Sequence, residues 1–90
     1  MNNSVLTVIG KDRIGIVYDV AKLLAEQQIN IVNISQQLMN EFFTMIVLVD
    51  TSACAKDYQT LSAFFVEEGK KLGLELRLQN TDIFNAMHRI

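Results

Sequence analysis

Apolar and polar positions recur with two different periods along this chain, and the changes of period mark its elements. Ser4 to Ile9 (SVLTVI) is β-branched and nearly all apolar, the pattern of a central strand covered on both faces. Gly10-Lys11-Asp12-Arg13 breaks the run, and Ile14 to Gln27 then predicts a helix. Val17, Val20, Ala21 and Leu24 fall on one stripe at i, i+3, i+4 and i+7, with Asp19, Lys22 and Glu26 on or near the opposite side. Ile29 to Met39 alternates after its first residues. Val32, Ile34 and Leu38 share one face, and Asn33, Ser35 and Gln37 share the other. Asn40-Glu41 predicts a two-residue hairpin turn, and Phe42 to Asp50 (FFTMIVLVD) a second highly apolar strand.

A short connection rich in capping residues, Asp50 to Lys56, leads into a second helix over Asp57 to Leu72. Its stripe is Tyr58, Leu61, Phe65 and Leu72, interrupted by Glu68. Lys70 and Lys71 suit a helix C-terminus, and Gly73 fits the left-handed position that ends it. Leu74, Leu76 and Leu78 alternate with Glu75, Arg77 and Gln79, which predicts a strand buried on one side. Thr81 or Asp82 can cap a short helical tail that carries Ile83, Met87 and Ile90 on one side. The order β-α-β-β-α-β with right-handed crossovers predicts an α+β, ferredoxin-like sandwich: a four-stranded antiparallel sheet with two helices on one face. Residues 1–90 form a single domain, with a core over 1–80 and a tail over 81–90. The opposite sheet face has no internal cover. Val5 and Ile9 nonetheless point away from Leu6 and Val8, so the tail or a second subunit is expected to shield it.

Composition narrows the function classes. Ninety residues suffice for one domain, half of them are hydrophobic and 20% are charged, so the chain folds. A domain this small buries only about 60% of its unfolded surface, and a partner subunit adds stability. Eight basic against ten acidic residues give a net charge of −2, which argues against nucleic-acid binding through clustered Lys and Arg. The single Cys54 forms neither an internal disulfide nor a CxxC metal site. There is no apolar run of the ~18 residues a membrane span needs, and MNNSVLTVIG lacks a signal peptide's basic start. A soluble, reduced, cytoplasmic protein without a membrane partner is expected. Proline is absent, and no segment reads as a linker.

Candidate chemistry concentrates in the first strand–helix turn, Gly10-Lys11-Asp12-Arg13-Ile14-Gly15-Ile16. Asp12 is a good N-cap residue, and beyond it lie backbone N–H groups without intrahelical partners at the positive end of the helix dipole. Such a place accepts a carboxylate or phosphate, and Gly15 allows close approach. The alternative is that the glycines only make a tight turn and Asp12 only caps. The string is neither a Rossmann nor a P-loop fingerprint. Asn30, where the first helix hands over to the second strand, offers both donors and an acceptor, or simply forms the turn. His88 is the sole histidine, so no metal cluster or His dyad forms within one chain. Cys54 reads as an inert thiol, Phe42-Phe43 and Phe64-Phe65 as core and sheet residues, and Glu67 and Glu68 as a solvated helix edge. No nucleophile has an obvious base.

The run VIGKDRIGIVYDVAKLLAEQQINI resembles the ACT domain family: a strand, then G-x-D-R-x-G, a helix containing L-L-A-E, then N-I opening the second strand. The general match covers about residues 4 to 79. The ending DIFNAMHRI is similar to a narrower set, free-standing bacterial ACT proteins related to the ACT domains of the glycine-cleavage repressor. The resemblance implies a ferredoxin-like fold, pairing of domains, and an amino acid bound at the domain interface. It implies that Gly10, Asp12 and Gly15 line that site and that Asn30 faces it, commonly from the neighbouring domain. Many family members carry Pro where Ile14 stands and Gly where Gln28 stands. Gln28 is therefore expected in a left-handed conformation, at a cost of roughly 1 kcal/mol.

The expected protein is a non-enzymatic regulatory module without a cofactor. It forms a homodimer, binds a small amino acid or similar carboxylate metabolite, and acts on a separate, unidentified protein. The expected ligand-binding residues are Gly10, Asp12, Arg13, Ile14, Gly15, Ile16 and Asn30. Asp12 caps the helix and meets the ammonium group, N–H groups around Ile14 to Ile16 receive the carboxylate, and Asn30 adds its amide. Three alternatives are an interaction module of the same fold without a small ligand, a small acylphosphatase-like enzyme, and an RNA binder. The second lacks a phosphate-cradling Arg and Asn motif; the third lacks the basic charge and the aromatic motif.

Overall fold

A computed structural model describes residues 3–80, and the tail expected over 81–90, with His88, lies outside the described residues. Six elements follow in the order β1 (Asn3–Lys11), α1 (Ile16–Glu26), β2 (Asn30–Met39), β3 (Phe42–Asp50), α2 (Tyr58–Leu72) and β4 (Glu75–Asn80). The strands form one antiparallel sheet in the order β2-β3-β1-β4, with both helices on one face, as the ferredoxin-like arrangement requires.

β1 pairs on both edges, which accounts for its near-continuous apolar run. Leu6 stands opposite Val47 and Leu78, and Val8 opposite Met45 and Leu76. All of these are buried beneath the helices, together with Leu24 of α1 and Phe65 of α2. The strand also runs on past Ile9. Gly10 and Lys11, expected to break it, pair with Phe43 and Phe42. Continued pairing satisfies their backbone groups. Glycine is suited to the position because a Cβ there would lie 2.6 Å from Leu74 Cδ2.

α1 begins at Ile16 rather than Ile14, and its buried residues are Ile16, Val20, Leu23 and Leu24. Val17 is 41% exposed and Ala21 half-buried, so the face is rotated by about one residue from the stripe read in the sequence. Ile16, Val20, Leu23 and Leu24 fit a helical period as well as Val17, Val20, Ala21 and Leu24 do. The direction in which the chain leaves Gly15 decides between the two phases. Gln28 takes φ 62°, the left-handed conformation expected of it.

In α2, Asp57 caps the helix by accepting from the Thr60 N–H at 2.8 Å, and this bond holds its carboxyl below the usual aspartate range. The buried residues are Leu61, Phe65 and Gly69. Tyr58, expected in the stripe, is half exposed, and its hydroxyl donates to the Leu78 carbonyl at 2.7 Å. Gly69 completes the stripe in its place. A Cβ on it would sit 2.7 Å from the Leu74 carbonyl oxygen, so the missing side chain is what lets α2 approach β4. Gly73 ends the helix at φ 73°.

β2 is an edge strand. Its register with β3 shifts between Ile31 and Asn33 and skips Val32, so the expected common face of Val32, Ile34 and Leu38 is broken by a bulge. Ile34 and Leu38 stand opposite Val47 and Phe43, on the helix side of the sheet, yet they are exposed, whereas Ile31 near the start of the strand packs against the core. The hairpin turn falls at Asn40-Glu41 as expected, with Asn40 at φ 57°.

Leu24→Ala should lower unfolding stability by about 2–5 kcal/mol in chemical denaturation, through lost burial and the cavity left behind. Gly69→Ala gains at most about 1 kcal/mol of helix propensity. The overlap with the Leu74 carbonyl outweighs that gain, and the melting temperature should fall. Asp57→Ala should melt lower than the parent chain at neutral pH. Because the carboxyl is held low in the folded state, that difference should shrink as the pH falls through and below the aspartate range.

Candidate functional site

The β1–α1 loop is held at three points. The Asp12 N–H donates to the Glu41 carbonyl at 2.8 Å, tying the end of β1 to the β2–β3 hairpin. The Arg13 guanidinium donates to Asp19 Oδ2 of α1 at 3.0 Å and to the Leu72 carbonyl at the end of α2 at 3.2 Å. It also donates to the neighbouring Ile14 carbonyl at 3.1 Å. Ile14 stands at the tip, 99% exposed. A backbone held on both sides thus presents its crest to solvent.

Asp12 does not cap α1. The N-cap is Gly15, at φ 91° with no side-chain cap hydrogen bond, and its carbonyl accepts from the Asp19 N–H at 2.9 Å. Asp12 is drawn away because its backbone is bound to the hairpin. The first turn of α1 therefore keeps N–H groups that lack a side-chain acceptor, which is the feature an external carboxylate needs. The nearest atom to a Cβ on Gly15 is Arg13 Nη1 at 3.8 Å, so the space is open. Glycine is favoured here by its backbone angle.

Asn30 lies elsewhere. It pairs with Asp50, which pairs in turn with Asn3, so it stands at the end of the sheet where β1 starts. The loop follows the other end, where Lys11 pairs with Phe42 and Phe42 with Met39. The nine residues of β1 put about 26 Å between these ends. One chain thus gathers Gly10, Asp12, Arg13, Ile14, Gly15 and Ile16 at one loop and holds Asn30 a strand-length away.

The roles of the Glu41 and Leu72 carbonyls had no signal in the sequence, because any residue type supplies a backbone acceptor. Asp19 was legible only as a polar helix position. A groove of about 730 Å³ runs between α2 and β4, lined by Tyr58, Val66, Lys70, Leu74 and Arg77 among others. It lies at the sheet edge opposite β2 and includes none of the expected site residues. Among the described residues no group of three or more His, Cys, Asp or Glu is placed to hold a metal, and no helix is long and apolar enough to cross a membrane. Cys54 is half-buried against the core, and Phe64 and Phe65 stack edge to face at 5.3 Å.

The profile of the ACT domain family matches residues 3–79. A UPF0237 protein of Neisseria meningitidis serogroup B is 70% identical over 90 residues, covering all of both chains. A UPF0237 protein of Methanocaldococcus jannaschii is 46% identical over 90 residues, again covering all of both. Among solved structures, an ACT domain protein from Streptococcus pneumoniae is similar at TM-score 0.83 and 36% identity, over 92% of this chain and 93% of that one. A putative glycine cleavage system transcriptional repressor shares the fold at TM-score 0.73 and 21% identity, over 89% of this chain and 46% of that one.

Gly15→Ala should cost about 1–2 kcal/mol, through the left-handed angle rather than through a clash. Arg13→Ala should cost less than about 1 kcal/mol in global stability, since its ion pair is part-exposed. It should nevertheless speed amide hydrogen exchange at Asp12 to Ile16 relative to the sheet. Unchanged exchange there would show that the guanidinium does not hold the loop.

Proposed function

The chain belongs to the ACT domain family of ligand-binding regulatory modules, and we propose that it works as a homodimer that binds a small amino acid, or a related carboxylate metabolite, between its subunits and passes occupancy to a separate protein. The observation that carries this reading is the division of the expected site: the anion-accepting loop at one end of the sheet, Asn30 at the other, and an exposed strand edge running between them.

β2 offers ten residues to solvent along one edge, without proline, and carries exposed Ile34, Leu38 and Met39. Such an edge is a template for another strand. Antiparallel pairing of two β2 edges about a two-fold axis sets the Asn30 end of each against the Met39 end of its partner. Met39 is part of the hairpin whose Glu41 carbonyl holds Asp12, so each Asn30 arrives beside the other subunit's loop. The β4 edge is shorter, at six residues, and pairing through it leaves loop and amide apart.

In the completed site the ligand carboxylate takes the N–H groups at the start of α1, aided by the helix dipole. The Asp12 carboxylate, exposed on the same loop, accepts from the ammonium group. The Asn30 amide bonds to whichever pole it reaches. Binding then requires the dimer, and by linkage the ligand stabilises the dimer.

Sedimentation equilibrium should give a dimer at micromolar concentration, and calorimetric titration with a panel of amino acids should find a binder at or below millimolar concentration. Asn30→Ala should weaken that binder tenfold or more, from the loss of hydrogen bonds worth about 1.5–3 kcal/mol. Ile34→Lys should weaken dimerisation and binding together, by setting like charges along the β2 edge. A dimer that binds no member of the panel would favour an interaction module without a small ligand. A binder indifferent to both substitutions would place the site elsewhere.

A further inference from the structure

Among the described residues β4 ends the sheet on the side away from β2, and it borders the groove of about 730 Å³ beneath α2. The Asp12 N–H, just past β1, bonds across to the Glu41 carbonyl. The even-numbered residues of β1 therefore turn their backbone groups toward β3 and the odd-numbered ones toward β4. The partners of those odd residues, Glu75, Arg77 and Gln79, turn inward, so Leu76 and Leu78 turn their backbone groups off the edge. The Tyr58 hydroxyl, which reaches the Leu78 carbonyl from α2 at 2.7 Å, agrees with that phase. The α2 wall of the groove is the row Tyr58, Ser62, Val66 and Lys70, one step beyond the buried Leu61, Phe65 and Gly69. This row runs about 18 Å along the helix, and the six residues of β4 run about 17 Å beside it. A helix row and a strand edge of equal length thus flank one trough.

We propose that this trough takes an extended segment of a partner protein as a fifth strand, with apolar residues at two alternate positions and an acidic residue between them. Pairing with Leu76 and Leu78 supplies the backbone bonds. Cross-strand neighbours share a face of the sheet. Residues opposite Leu76 and Leu78, which are buried on the helix side, come under Val66 and Tyr58, whose 40% and 42% exposure leaves apolar surface to cover. The residue between them stands beside Arg77 on the other face. Glu75 occupies the Arg77 Nε at 2.9 Å, which leaves the outer N–H groups to an incoming carboxylate. The charged side chains lining the groove, Lys70, Arg77 and Glu75, sum to +1 on a chain of net charge −2, so the trough favours an acidic segment. A second copy of this chain fits less well, because two-fold pairing about the middle of β4 brings two Arg77 guanidinium groups together. The trough lies across the sheet from β2, so a dimer through that edge leaves it open.

Panning a displayed library of random short segments against the full chain should enrich an apolar–acidic–apolar pattern. A selected peptide should shift the amide resonances of Leu76 and Leu78 and leave those of β2 in place. Val66→Lys, at an exposed position, should weaken that peptide by about tenfold or more while the circular dichroism stays that of the folded chain. Arg77→Glu should reverse the charge preference, so that the same peptide with lysine in place of its acidic residue becomes the tighter binder. Both variants should keep the parental mass in sedimentation. A library that enriches no better on the parent chain than on the Val66→Lys chain would overturn the proposal. So would resonance shifts away from β4, a charge preference untouched by Arg77→Glu, or self-association lost in either variant, which would assign the edge to a second copy.

Discussion

β1 is hydrogen-bonded along its length to β3 on one side and over most of it to β4 on the other, and that double pairing constrains the rest of the molecule. A strand buried this way can carry little polarity, so it sets Leu6 and Val8 under the helices. Its continuation through Gly10 and Lys11 carries the chain to the hairpin before it turns, where the Asp12 N–H finds the Glu41 carbonyl. The same extension brings Gly10 against Leu74, just after α2 ends. Loop, hairpin and α2–β4 turn therefore meet at one end of the sheet because β1 is long enough to reach all three.

The consequence for function is a loop that is rigidly supported and chemically unfinished. Arg13 bridges α1 and the end of α2 through acceptors that belong to other elements, while the first turn of α1 is left without a side-chain cap. A capped helix start would have its donors spent. Here the residue suited to capping is held off by its own backbone bond to the hairpin, and its side chain is exposed.

Departures from the ACT family pattern have different costs. Ile14 stands where many family members have Pro, at a position 99% exposed, so the change alters loop stiffness and not packing. Gln28 stands where many have Gly and is held at φ 62°. That strain of roughly 1 kcal/mol is borne by the surrounding turn, where the Ile29 and Gln28 N–H groups bond back to Leu24 and Ala25. Gly69 has the opposite character: its angle is helical, and it is the approach of β4 that excludes a side chain.

Local pattern alone determined the six elements, their order, the hairpin at Asn40-Glu41 and the Gly73 stop. Each of these depends on contacts between residues a few positions apart, which leave a periodic or compositional trace. Period also put Leu24 and Phe65 in the core. It did not determine the phase of α1, because two overlapping stripes satisfy 3.6 residues per turn and only the exit angle at Gly15 chooses between them. Nor could it show the bulge at Val32, which is visible only against the partner strand. The candidate loop was legible in G-x-D-R-x-G, but the role of Asp12 was not, since a cap is lost when a carbonyl twenty-nine residues away captures the backbone. The strand-length between Asn30 and the loop follows from the β-α-β order, because the crossover returns the chain to the end of the sheet where β1 begins. Which carbonyls hold the loop, those of Glu41 and Leu72, was decided by the tertiary structure alone, since any residue type supplies a backbone acceptor.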